Sequence, residues 1–198
     1  MFNPLLIIQA VGIIGVIFIV FAETGLFFGF FFPGDSLLFT AGLLASQNIL
    51  NIWALIIGCI LAAILGDTIG YWTGKKYGRS LFNKEEGFFF KKKRLIEAEE
   101  FYKKHGKFTI IIARFVPIVR TFAPIVAGIG KMKYKTFISY NIIGGIFWAM
   151  LMLLSGYFLG GLIPNPDRYV LPIIFIIIII SFLPVIFKFI YNKKKNTI

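Results

Sequence analysis

Five charged side chains stand within or at the edge of apolar stretches of this 198-residue chain: Glu23, Asp35, Asp67, Arg114 and Arg120. On insertion scales a charge at the centre of a bilayer costs about 2.5–3.5 kcal/mol, so such groups face a partner or a wet cavity rather than lipid. Their signs are sorted along the chain. FAETGLFFGFFFPGDSLLF brings Glu23 and Asp35, and ARFVPIVRTFAPIVAG brings Arg114 and Arg120. Two acids against two arginines sum to zero, so two facing tips would neutralise each other. Either these groups are ion pairs that lock two halves together, or they line a site for an anion with proton-sensitive acids. Arginine's planar fork suits bidentate recognition of phosphate. Pro33-Gly34-Asp35-Ser36 reads as a helix start whose free N–H groups also favour an anion, with Asp35 or Ser36 as a simple cap in the plainer reading. Asp67 is open between two roles, a third carboxylate for proton movement or a buried hydrogen-bonder.

The elements that position these groups follow from composition. The chain is 58% hydrophobic and 15% charged, with a mean hydropathy of +0.84. A water-soluble domain of this size cannot bury that much apolar surface, so the bilayer is the solvent. The net charge of +12 then reads as orientation and contact with anionic headgroups, not nucleic-acid binding. A single cysteine, Cys59, excludes an intrachain disulfide and a cysteine-rich metal site; no metal or cofactor is expected. No catalytic residue emerges either. The one histidine, His105, lies among Lys103, Lys104 and Lys107, whereas a histidine-dependent phosphatase needs a nucleophile and a base together. The expectation is a protein that is not an enzyme. A membrane-embedded lipid-phosphate enzyme and a proton or ion channel stand as alternatives.

Six apolar stretches appear, near 5–22, 24–47, 51–73, 108–130, 137–160 and 169–190. About 20 helical residues cross about 30 Å of hydrocarbon. The N-terminal MFNPLLIIQA lacks the charged start of a cleaved signal and reads as a retained first segment. The second and fourth stretches are broken near their middles, by Pro33-Gly34-Asp35 and by Arg114, Pro117, Arg120 and Pro124. Irregular backbone survives at membrane depth only when buried in protein or lining a cavity, so both read as re-entrant hairpins. Loop charge agrees. Segment 74–107 carries eleven Lys or Arg against five acids, Lys131, Lys133 and Lys135 follow, and the tail adds Lys193, Lys194 and Lys195. SQNILNI (46–52) has no charge. All basic loops fall on the cytoplasmic side if 108–130 enters and leaves there. The fold class is therefore an all-α polytopic membrane protein: an inverted repeat of two re-entrant helical hairpins plus about four transmembrane helices, with cytoplasmic N- and C-termini. Residues 1–22 form a first span, 23–160 the hairpin-bearing domain with its cytoplasmic loop 74–107, and 169–198 a last span and basic tail. Within the loop, Leu95, Ile96, Phe101 and Tyr102 suggest an amphipathic helix on the inner leaflet. Gly58, Ala62, Gly66, Gly70, Gly74 and Gly78 recur every four residues, a smooth stripe for close helix packing within the chain or in a homo-oligomer. Asn141, Gly144 and Trp148 share a face by similar spacing and read as packing.

These residues resemble the DedA family of bacterial membrane proteins, whose VTT domain is shared with eukaryotic lipid scramblases. The resemblance rests on Glu23 with FFPGD (31–35) and Gly42, on GDTIGYWTGKKYG (66–78), on ARFVPIVRTFAPIVAGIGKMKYKTF (113–137) and on Asn141, Gly144 and Trp148, over about residues 20–160. It implies a lipid transporter, a flippase or scramblase of the bacterial cytoplasmic (inner) membrane, moving undecaprenyl phosphate or a phospholipid between leaflets with proton-motive coupling. The partner would be an anionic lipid headgroup. The family's acids and arginines map onto Glu23, Asp35, Arg114 and Arg120. With the residue-level reading, the candidate substrate-binding residues are Arg114, Arg120, Pro33, Gly34, Ser36, Pro117 and Pro124, and the candidate proton-coupling acids are Glu23, Asp35 and Asp67.

Overall fold

The computed structural model describes residues 4–25, 34–81 and 108–162. Every regular element among them is an α-helix: α1 (Pro4–Gly25), α2 (Gly34–Ser46), α3 (Ile52–Leu81), α4 (Thr109–Ala113), α5 (Pro117–Ile129) and α6 (Tyr134–Gly161). At 30 and 28 residues, α3 and α6 are long and apolar enough to cross a membrane. The outer face of α3 makes the case. Trp53, Ile57, Leu61, Leu65, Ile69 and Trp72 are all well exposed and recur every three or four residues, so they form one stripe. Water would not tolerate that stripe; lipid does. Trp53 and Trp72 mark its ends, and roughly 28 Å of helix separates them at 1.5 Å per residue, close to the ~30 Å hydrocarbon thickness. Tryptophans at both ends are what two membrane–water interfaces favour. On α6, Ile143, Phe147, Leu151 and Phe158 are similarly exposed.

Several boundaries differ from those read off hydropathy. α1 runs on to Gly25, past the expected end at 22, which places Glu23 in its last turn. α3 continues to Leu81 instead of stopping at 73, carrying Lys75 and Lys76 as exposed helical residues. Cations near a helix C-terminus complement its dipole, and their long stems can follow the apolar surface, so leaving the hydrocarbon does not end the helix. α4 has five residues, a small part of the 108–130 stretch. The tip residue Pro33, the amphipathic segment 91–107 with His105, and the final span and tail at 169–198 lie outside the described residues.

The chain divides into two compact units. The first holds, among the described residues, 4–16, 34–56 and 150–162. Here α2 lies against the end of α6. A Cβ at Gly42 would strike the Leu153 backbone, and one at Gly156 the Phe39 carbonyl; only glycine allows that approach. Gln47 Nε2 donates to the Gly160 carbonyl at 3.0 Å. Asn48 turns the chain with φ 58, and Asn51 Oδ1 accepts from Ala54 N–H at 3.0 Å, capping α3.

The second unit holds 17–25, 57–81 and 108–149 among the described residues. The glycine stripe of α3 is an intrachain seam within it: Gly66 meets Thr24 and Gly25 of α1, while Gly70 and Gly74 meet Pro124 and Ile125 of α5. α4 and α5 pack on each other. Ile110 and Ala127 share a buried cluster with Tyr71 and Phe137, and the Tyr71 hydroxyl donates to the Met132 carbonyl at 2.5 Å.

Candidate functional site: two buried ion pairs

The turn between α4 and α5 follows from Pro117. A proline forces the residue before it toward extended backbone, and Val116 has φ −115 and ψ 106. Upstream the helix tightens: the N–H groups of Arg114, Phe115 and Val116 bond to carbonyls three residues back. Arg114 is thus held at the end of α4. Arg120 ends the first turn of α5, and Pro124 one turn later has no N–H for the Arg120 carbonyl.

Arg114 and Arg120 are 3% and 7% exposed, and Glu23, Asp67 and Asn141 no more than 3%. Nη2 of Arg114 donates to Asp67 Oδ2 at 2.5 Å and also to Asn141 Oδ1. Asn141 Nδ2 in turn donates to the Ile64 carbonyl at 3.1 Å. Gly144 and Gly145 of α6 leave room for the arginine, since a Cβ at Gly144 would lie 3.1 Å from Arg114 Cδ. Arg114 Nε makes no hydrogen bond to any described residue. Nη2 of Arg120 pairs with Glu23 Oε1, and its guanidinium lies 5.1 Å from the centroid of the Trp148 ring, within cation–π range.

The two pairs lie at different depths. Asn141 and Trp148 are two turns apart on α6, roughly 10.5 Å at 1.5 Å per residue. Asp67 lies at the middle of α3, about 7.5 Å along the helix from Trp72. Phe115, just past Arg114, meets Phe147 at 5.8 Å between centroids, and Phe147 lies roughly 15 Å along α6 from Phe137.

Four of the residues singled out in the sequence thus come together: Glu23, Asp67, Arg114 and Arg120. The arginine partners on view are Glu23 and Asp67, and Asp67 takes the hydrogen-bonder's role that the sequence left open. Gly34, Asp35 and Ser36 form the first turn of α2 in the other compact unit, where an acid at a helix N-terminus is favourable. Pro117 begins α5, and Pro124 packs toward Gly70. Asn141 and Trp148 were read as packing residues, yet both engage the arginines. Their seven-residue spacing, on the same face as Gly144, is the sequence signal for that. Among the described residues no group of three His, Cys, Asp or Glu side chains could hold a metal ion.

Chemically, each arginine is a phosphate-competent cation paired with a buried carboxylate, and Arg114 is also bonded to the Asn141 amide. Buried ion pairs of this kind add little net stability over apolar packing, although removing one partner is costly. They are therefore poor candidates for simple struts and good ones for exchangeable partners.

Lipid-facing tryptophan-bounded helices around buried, neutralised ion pairs define a helical membrane protein. A VTT domain model matches residues 32–158. The chain is 46% identical to Protein DedA of Escherichia coli (strain K12) over 89% of its own length and 81% of that protein's. It is 45% identical to an uncharacterized membrane protein of Mycobacterium leprae (strain TN), over 84% of this chain and 74% of that one. To the inner membrane protein YabI of Escherichia coli (strain K12) it is 30% identical over 78% of this chain and 60% of that one. The chain belongs to the DedA family of membrane proteins. No solved structure matches it.

Proposed function

We propose that this protein moves a phosphate-bearing lipid, undecaprenyl phosphate or a phospholipid, between the leaflets of a bacterial inner membrane. The carrying observation is the two buried arginines, each in an ion pair with a buried carboxylate. In this reading segments 24–47 and 108–130 are two re-entrant hairpins of an inverted repeat, and both chain termini are cytoplasmic. A headgroup phosphate displaces Asp67 or Glu23 from its arginine while the lipid tail stays in hydrocarbon. The displaced carboxylate takes up a proton, because a lone charge there is costly, and that uptake couples movement to the proton-motive force. Pro33, Gly34 and Ser36 are proposed as further headgroup contacts and Asp35 as a further proton-coupling acid. The name of the similar inner membrane protein YabI supports the location.

The test is transport in proteoliposomes with a labelled polyprenyl phosphate. Arg114→Ala and Arg120→Ala are expected to lower the flipping rate by at least about tenfold, the loss of one charge-assisted contact. Wild-type rates in both variants would overturn the assignment.

A further inference from the structure

At the basic end of α3 the fold builds a second cationic feature that the ion pairs do not use. A cleft of about 330 Å³ opens between the end of α3 and the α5–α6 connection, and Lys75, Lys131 and Lys133 contribute to its walls. All three lysines are exposed. No carboxylate lines the cleft among the described residues. Its frame is fixed by close backbone contact, since a Cβ at Gly128 would run into the Tyr71 carbonyl and lie 2.8 Å from the Lys75 nitrogen. The Tyr71 hydroxyl bonded to the Met132 carbonyl pins the connection to α3.

Two details point to a ligand. Lys131 has φ 54, a left-handed conformation that glycine adopts without steric strain and a lysine does not. Backbone alone favours glycine there, so the cation is kept against local preference. Beside the lysines stand the amphipathic rings of Trp72 and Tyr134, 5.5 Å apart between centroids, with Lys75 Nζ 4.8 Å from the Trp72 ring centroid. Aromatic rings of this kind settle at headgroup depth, where lysines attract anionic lipid.

We infer that this cleft binds a phosphate monoester group at the membrane surface. Tyr71 and Asp67 are one turn apart on α3, and Lys75 is one turn further. A phosphate in the cleft therefore sits roughly 12 Å along the helix from the Arg114–Asp67 pair, a station at the mouth of the proposed path. The lipid identity of the ligand rests on the proposed function; the cleft's affinity for phosphate does not.

The experiment measures equilibrium binding of a fluorescent short-chain phosphatidic acid to the full chain in phosphatidylcholine nanodiscs. The triple variant Lys75→Gln/Lys131→Gln/Lys133→Gln is expected to bind about 100-fold more weakly, about fivefold per lysine. Lys131→Gly should lose about fivefold while melting no lower than wild type, because glycine suits that φ. Lys135→Gln, outside the cleft, should bind as wild type does. Binding by the triple variant within twofold of wild type would overturn the inference, and so would an equal loss in Lys135→Gln, which would mark diffuse surface charge. Displacement of the probe by millimolar inorganic phosphate identifies the bare anion as a sufficient ligand; retention of the probe identifies a lipid-borne phosphate. Flipping rates of the arginine variants are a separate measurement, so failure here and failure of transport are distinguishable.

Discussion

Arg114 is the residue on which most of the site converges, with Asp67, Asn141 and the space left by Gly144 around it. Arg114→Ala leaves Asp67 buried without its cation and is expected to cost about 3–5 kcal/mol, read as a lower melting temperature in detergent. The double variant Arg114→Met/Asp67→Leu should recover most of that loss, because apolar replacement of a whole buried pair is close to neutral. It should still fail to transport. Full transport by a stable double variant would make the pair a structural lock and remove it from the mechanism. Asn141→Leu deletes an acceptor for Arg114 and the bond to the Ile64 carbonyl; leaving such groups unsatisfied costs about 1–3 kcal/mol each. Its flipping rate should fall with little change in expression level, whereas a pure packing residue would show the reverse.

At the scale of elements, α3 is the organiser. One face is greasy for lipid, and the other is stripped to glycine so that α1 and α5 can approach its backbone. Gly74→Ala sets a methyl against the Ile125 carbonyl, and overpacking of this kind typically costs about 1–3 kcal/mol. Gly15→Ala is the internal comparison, since nothing lies within 4 Å of a Cβ there; helix propensity alone predicts a small gain of about 0.5–1 kcal/mol. Thermal melting of the two variants should move in opposite directions. Equal shifts would remove the seam's role in stability. The break between α4 and α5 is the other decisive element, because Pro117 divides into two helices what hydropathy alone presents as a continuous span.

For the molecule as a whole, the start of α3, which Asn48 and Asn51 precede, and its Lys75 end, which shares a cleft with Lys133, should face opposite sides of the membrane. In a Cys59→Ser background, Asn48→Cys and Lys133→Cys are expected to react with impermeant maleimide from opposite faces of oriented vesicles. Labelling of both from one face would contradict a full crossing by α3. Brominated lipids with shallow and deep bromines should quench Trp53 and Trp72 mainly from shallow positions, as residues at two interfaces.

Membrane residence, the long apolar helices α3 and α6, the interruption at Pro117 and the sheltering of Arg114 and Arg120 by acidic partners were legible in the amino-acid order. Each depends on local rules: hydropathy over a helix length, the missing N–H of proline, and the cost of charge in lipid. Small-residue spacing likewise announced the close face of α3. Pairing was different. Sign and sequence position suggested Glu23 and Asp35 as counter-charges, but which acid meets which arginine depends on the rotation of each helix about its axis. That rotation is fixed by where glycines let backbones touch, and it set Asp67 and Asn141 on Arg114, and Trp148 under Arg120. The same packing brought Lys75 beside Lys131 and Lys133, residues more than fifty positions apart that no local pattern joins.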